Sequence, residues 1–278
     1  MKGNHQMPLV HGTRKAAFSL VELLAVMAVI LVMTSVVVPV LRGVTDARDI
    51  TRAGYNIQGI LDRARAHAMS SNTYVYVGIA EVDASVGPTA ASQVTTGNTP
   101  YGRVAVAVVA TKDGTRGYDV NNPGNWFANY DGGTSSIVAN LKVINKLQQF
   151  ENLHLVDLGT MPPSSGPMAR PAAGNGADIN YNVANAGFVS LTPFTWPVGA
   201  SLSTGYQYYF QKVICFDPQG TARVQSSSNA DAIPKYMEIG LQPSHGNTVP
   251  GVPANQNIGD QMAIQIDGMT GATRIYRP

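Results

Sequence analysis

The sequence predicts an α+β protein: a long N-terminal helix packed through its second half on a C-terminal antiparallel β-sheet domain. Three observations predict it. Leu23–Leu41 contains no charged residue. Beyond it, apolar or small residues recur at three-to-four spacing from Ile50 to Ala68, the signature of a one-faced helix. From Thr73 onward the period falls to two, which is the signature of strands.

Composition bounds the answer further. The chain has 278 residues, of which 44% are hydrophobic and only 13% charged, with 28 Gly and 17 Pro. An apolar share of that size rules out a wholly disordered chain. Low charge with many turn residues indicates a turn-rich β-domain outside the cytoplasm. A net charge of +2 excludes a strongly electrostatic nucleic-acid binder, so nucleic acid is not expected as a partner. Arg274 and Arg277 in the last predicted strand are too thin a basis to change that. The single cysteine, Cys215, makes no internal disulfide and reads as a small buried hydrophobe.

The run Leu23–Leu41 would make a helix about 28 Å long, close to the thickness of a bilayer's hydrocarbon core. It is apolar all round, unlike an ordinary core helix. A secretory signal peptide has a shorter apolar core with small residues after it, whereas Arg42 and Gly43 follow here. Lys2, Arg14 and Lys15 precede the run without any acid, and the positive-inside rule keeps that end in the cytoplasm. The expected topology is a single pass with the C-terminal domain outside. Glu22 stands at the head of the apolar run, where an acid is costly and calls for an explanation. Three readings are open: a first-turn acid favoured by the helix dipole, a tolerated polar residue, or the partner of a cation on another chain.

The segment AAFSLVELLAVMAVI resembles the N-terminal signature of type IV prepilin-like proteins. That resemblance implies a leader of residues 1–17, cleavage between Ala17 and Phe18 by a membrane prepilin peptidase, and N-methylation of Phe18. It places Glu22 fifth in the mature chain. The family usually has Gly before the cut, and this chain has Ala17. Phe18 and Glu22 lie one helical turn apart on one face, so the new amine of one subunit could meet the acid of its neighbour. Pro39 matches the helix-bending proline of many pilins. The FDPQGTARV run and the closing IQIDGMTGATRIYR resemble two hairpins of the GspH/FimT group of minor pseudopilins.

The expected organisation is therefore a leader (1–17), a transmembrane helix (18–41), its amphipathic continuation (42–72) and a β-rich globular domain with long loops (73–278), pilin-like as a whole. In the continuation, Ile50, Ala53, Ile57, Ile60, Leu61, Ala64 and Ala68 form the core stripe. Gly54 and Gly59 each lower helix propensity by up to about 1 kcal/mol, and Ser70-Ser71-Asn72 is the expected stop. Strands are expected at Thr73–Val82, Arg103–Thr111, Tyr206–Phe216, Thr221–Gln225, Lys235–Leu241, Gln261–Asp267 and Ala272–Tyr276. Turns are expected at Asp217–Gly220 and Gly268–Gly271. Leu141–Leu158 is ambiguous: its first part could be a short helix, while His154–Leu158 alternates as a strand does. Residues 83–101, 113–136 and 162–185 read as loops.

No catalytic constellation stands out, and enzymatic activity is not expected. His5, His11, His67, His154 and His245 show no metal-ligand spacing, and no nucleotide-binding glycine loop appears. No cofactor is expected. Asp113, Asp119, Asn121, Asn122 and Asp131 offer oxygen ligands for calcium, though surface turns require the same residues. Trp126, Phe127, Tyr130, Tyr206, Tyr208 and Tyr209 read as core and sheet packing or as a partner-binding strip. The resemblance implies a minor pseudopilin or pilin-like subunit of a type II secretion or type IV pilus-like filament in the inner membrane. Its partners would be the peptidase, sibling subunits, the membrane and secreted cargo. The alternative is a single-pass membrane-anchored surface or periplasmic β-domain, a binding module that does not form filaments.

Overall fold

The computed structural model describes residues 19–87, 102–119, 121, 126, 140–158, 168–171, 181–182, 190–200, 207–226, 229–246 and 261–277. Side chains are described for these except 36–48, 181–182, 226, 229–230 and 232. The chain divides into two units, 1–45 and 46–278, and one helix, α1 (Leu20–Ser71), contributes to both.

In the first unit, every large apolar side chain of α1 from Leu20 to Met33 is more than half exposed. The hydroxyls of Thr34 and Ser35 donate back to the carbonyls of Ile30 and Val32, both at 2.7 Å. Such back-bonding satisfies a hydroxyl without solvent. The described side chains at this end stop at Ser35, and among the described residues no helix is long and apolar enough to cross a membrane. The backbone is helical through Pro39.

The second unit holds the remainder of α1 and a mainly antiparallel sheet, so the α+β class stands. The strands are β1 (Val75–Asp83), β2 (Gly102–Thr111), β3 (Leu141–Leu155), β4 (Tyr181–Asn182), β5 (Phe194–Trp196), β6 (Tyr208–Phe210), β7 (Lys212–Phe216), β8 (Ala222–Ser226), β9 (Asn229–Ala232), β10 (Tyr236–Pro243), β11 (Met262–Asp267) and β12 (Thr273–Tyr276). The main sheet runs β12-β11-β10-β3-β2-β1-β7-β8-β9, with β4 added parallel to β10. A separate pair joins β5 to β6.

Each expected stripe residue of α1, from Ile50 to Ala68, is buried against one face of this sheet, with Val75, Val77, Val106, Ile214, Leu241 and Ile264 among its partners. Burying each such Ile or Leu contributes about 1.5–3 kcal/mol. Gly54 has a packing role on this face: a Cβ there would lie 2.0 Å from the Sδ of Met262. Gly59, one and a half turns on, faces nothing within 4 Å. The helix stops where the sequence indicates. Asn72 takes a left-handed conformation (φ 49°) and Thr73 N–H donates to Ala68 O at 3.1 Å, a Schellman stop.

The opposite face of the sheet is also covered. Tyr76, Ala105, Ala107, Val109, Val213 and Cys215 pack there with Phe194, Tyr208, Phe210 and Trp126. Strands β1 and β2 are therefore buried on both sides, which explains their nearly continuous apolar sequence.

Three expectations need correction or completion. Leu141–Leu158 forms no helix; residues 141–155 are one strand, which pairs with β2 along its length and meets β10 only at Leu153–Leu155. The single strand expected at Tyr206–Phe216 is two strands broken at Gln211, because β6 turns to pair with β5 while β7 joins β1. Strands β4, β5 and β9 fall in segments without a clear alternating pattern and were not anticipated.

At the end of α1 two hairpin turns meet. In the first, Asp217 Oδ1 accepts from the backbone N–H groups of Gln219 (2.9 Å) and Thr221 (3.0 Å), and Gly220 has φ 84°. In the second, Asp267 accepts from Thr270 and Gly271, the latter with φ 65°. Ala222 N–H donates to Gly268 O at 2.8 Å, and a Cβ on Gly271 would lie 2.2 Å from Gly220 O. Glycine is required at this contact both for its backbone conformation and for its lack of a side chain.

Candidate assembly helix and polar clusters

Ala17 and Phe18, the expected processing pair, lie outside the described residues, and so does the side chain of Pro39. Glu22 is described, and its carboxylate has a partner within the chain. Ser19 N–H and the Ser19 hydroxyl donate to Glu22 Oε2 at 3.1 and 3.2 Å, and Glu22 N–H donates to Ser19 Oγ at 3.2 Å. This reciprocal arrangement is a capping box, with Ser19 as N-cap and Glu22 at the third helical position. The sequence motif Ser-x-x-Glu carries the signal for it, and none of the three readings of Glu22 took Ser19 into account.

The Asp/Asn-rich loop divides. Asp113 Oδ1 accepts from the backbone and hydroxyl of Thr115 at 2.9 and 2.7 Å, and those hydrogen bonds hold its carboxyl below the usual range. Asp119 accepts from Asn121 N–H at 2.9 Å. Both acids are building turns, while Asn122 and Asp131 lie outside the described residues. Among the described residues no cluster of three or more His, Cys, Asp or Glu is placed to hold a metal.

Of the aromatic candidates, Trp126 and Tyr208 are core residues. Trp126 stacks at a tilt on Tyr76 (5.1 Å between centroids), and its indole N–H donates to Pro193 O at 2.7 Å. Tyr208 accepts from Gln149 at 2.8 Å and lies against Phe210. Tyr209 is half-buried; Phe127, Tyr130 and Tyr206 lie outside the described residues. Cys215 is buried opposite Tyr76 on the neighbouring strand, and burial pushes its thiol up to about 12, so it is no ready nucleophile.

Sequence reasoning missed three polar clusters because each joins residues distant along the chain. The first gathers at the end of β1. Glu81 Oε1 lies 2.7 Å from His154 Nδ1, and Glu81 Oε2 accepts from Leu155 N–H at 3.1 Å. The acid thus reaches across β2 to the short stretch where β3 meets β10. Lys212 pairs across strands with Ile79, and burial lowers its pKa to about 8, against the opposing pull of Glu81 and Asp157.

The second cluster surrounds the first hairpin turn. Arg223 bridges Asp217 Oδ2 (3.0 Å) and Asp231 Oδ2 (3.1 Å), and Arg116 also pairs with Asp231. Burial works against the charge on Asp217, yet hydrogen bonds from Thr221 and Arg223 hold its carboxyl below the ordinary range.

The third cluster is a buried ion pair. Arg170 Nε donates to Glu238 Oε1 at 2.7 Å and Arg170 Nη2 to Glu238 Oε2 at 3.0 Å. The two side chains are only 1% and 3% exposed. Gln265 Nε2 donates both to Glu238 Oε1 and to Pro171 O, each at 3.0 Å. A buried pair needs this completeness of hydrogen bonding to offset its desolvation.

Comparison with family models, with curated proteins and with solved structures finds no match.

Proposed function

We propose that the chain is a structural, non-enzymatic subunit of a type II secretion or type IV pilus-like filament, of the minor pseudopilin kind. It enters the inner membrane in a single pass with its N-terminus cytoplasmic. Prepilin peptidase trims it between Ala17 and Phe18, and it assembles with sibling subunits through its N-terminal helix. The sheet domain contacts neighbouring subunits or secreted cargo.

One observation carries this reading. A single helix changes character along its length: its first stretch offers apolar side chains on every side, and its second buries one stripe against its own sheet. Among the described residues nothing buries the first stretch, and lipid, then other helices like itself, would cover it. Glu22 would meet the freed amine of a neighbour's Phe18, an attraction that a low-dielectric bundle strengthens.

The test is mass spectrometry of the protein from a membrane fraction of cells with an active prepilin peptidase. The expected product lacks residues 1–17 and carries a methylated Phe18, and an intact Met1 would sink the reading. Glu22→Ala should still insert but should fail to join filaments.

The capping box favours a second reading. Because Ser19 already satisfies Glu22, the acid has work to do in an isolated subunit, as it would in a membrane-anchored binding module that never assembles. Filament incorporation that is unchanged in Glu22→Ala would select that alternative.

A further inference from the structure

The two hairpin turns that meet at the end of α1 are clamped from the helix side by Arg65 and Met69. These residues stand at i and i+4, so they are neighbours on one face of the helix. Arg65 Nε donates to Gly220 O at 3.4 Å, longer than the usual hydrogen bond. The same side chain lies over the second turn, since a Cβ on Gly271 would lie 3.0 Å from Arg65 Cδ. Met69 covers the first turn: a Cβ on Gly220 would lie 2.8 Å from Met69 Sδ and 3.3 Å from Arg65 Nε. The thioether thus rests on bare backbone with the guanidinium beside it. It is also reachable. Met69 is 47% exposed, whereas Met168, Met237 and Met262 are buried. Met269, within the second turn, is 67% exposed and supplies an internal comparison. Exposed thioethers are the ones that oxidants reach.

We infer that Met69 is a site of reversible oxidation by peroxides, and that its sulfoxide opens the clamp on the two turns. A sulfur lone pair attacks one peroxide oxygen, and the S–O bond forms as the O–O bond breaks. The displaced hydroxide takes the proton of the transferred hydroxyl and leaves as water. Sulfur loses two electrons, the peroxide gains them, and a methionine sulfoxide reductase restores the thioether. The added oxygen is a strong acceptor where the thioether was a weak one. Arg65 then divides between Gly220 O, already at 3.4 Å, and an oxygen one helical turn away. That oxygen also needs room on a sulfur that packs against Gly220. Both effects draw the two side chains off the turns. Ala222 N–H, whose 2.8 Å bond to Gly268 O joins the hairpins, loses its support. The inference stands apart from the filament reading, because it concerns contacts within the sheet unit alone.

The test treats the full chain, in peroxide-free detergent micelles, with hydrogen peroxide. In peptide maps by mass spectrometry, Met69 and Met269 should each gain one oxygen before Met168, Met237 and Met262 do. Hydrogen exchange at the Ala222 amide should quicken about five- to tenfold, the effect of weakening one hydrogen bond. Methionine sulfoxide reductase should return both the mass and the exchange rate to their starting values. Met69→Leu keeps the packing and removes the target, so peroxide should leave its Ala222 amide unchanged. Met69→Gln carries a polar acceptor from the start and should show the quickened exchange without peroxide. A Met69 that stays unoxidised when Met269 is fully oxidised overturns the site. Unchanged exchange in the oxidised wild-type chain, or equal quickening in oxidised Met69→Leu, overturns the clamp.

Discussion

The two stretches of α1 share one backbone conformation and differ in what their side chains can use. Between Leu20 and Met33 apolar groups point in all directions and remain exposed. Between Ile50 and Ala68 they fall on one stripe, with Asp49, Arg52, Asp62 and Arg63 exposed on other faces. Helix formation is thus indifferent to the partner, and the hydrophobic pattern decides it. A stripe fits a sheet within the same chain, and an all-round apolar surface needs a solvent or companions supplied from outside.

The comparison breaks if the two stretches respond alike to truncation. Leu61→Ala should destabilise the sheet unit by about 2–5 kcal/mol, whereas Leu24→Ala should change it by less than about 0.5 kcal/mol. Thermal unfolding of the full chain, followed by circular dichroism, measures both. Within the second stretch, the two glycines should part company. Gly54→Leu overpacks Met262 and should cost about 1–3 kcal/mol, recovered in part by Met262→Ala. Gly59→Ala meets open space and should stabilise by up to about 1 kcal/mol.

The rim of the stripe has its own signature in pH. Lys212 has a folded pKa of about 8, below its ordinary value near 10.4. The unfolded chain therefore binds more protons between those limits, and stability should rise with pH across that window, by about 2 kcal/mol between pH 8 and 10. Lys212→Met should flatten the rise, and denaturant titrations at a series of pH values would show it. A slope of the opposite sign would mean that the lysine is held charged. The most local effect is expected at the helix start: Ser19→Ala should cost about 1 kcal/mol, confined to the first turn. Amide exchange there should quicken while the sheet's melting point stays put.

What could be read in advance was what is local. The three-to-four spacing of Ile50, Ala53, Ile57, Leu61, Ala64 and Ala68, the β-branched and aromatic runs of β1 and β2, and the Asp217–Gly220 and Gly268–Gly271 turns are each set by neighbours a few residues apart. The Ser70–Asn72 stop was legible for the same reason. The break at Gln211 was not, since Tyr208 and Lys212 differ in which strand pairs with them, and neither partner is nearby in sequence. The ion pair of Arg170 with Glu238 spans 68 residues, and Glu81 reaches His154 across 73. No local pattern announces either. As for Phe18 and Glu22, for which assembly is proposed, the motif around them was plain to read, but only the structure showed Glu22 bonded to Ser19.

The order of strands in the main sheet imposes an order of events on synthesis. Met262, Ile264 and Ile266, which close over the stripe of α1, are made roughly 200 codons after the residues they shelter. Until the ribosome finishes, Ile50, Ile57 and Leu61 lack part of their cover, and a chain shortened before β11 would leave that groove open permanently. A nascent chain would then depend on a chaperone until the last hairpin is in place.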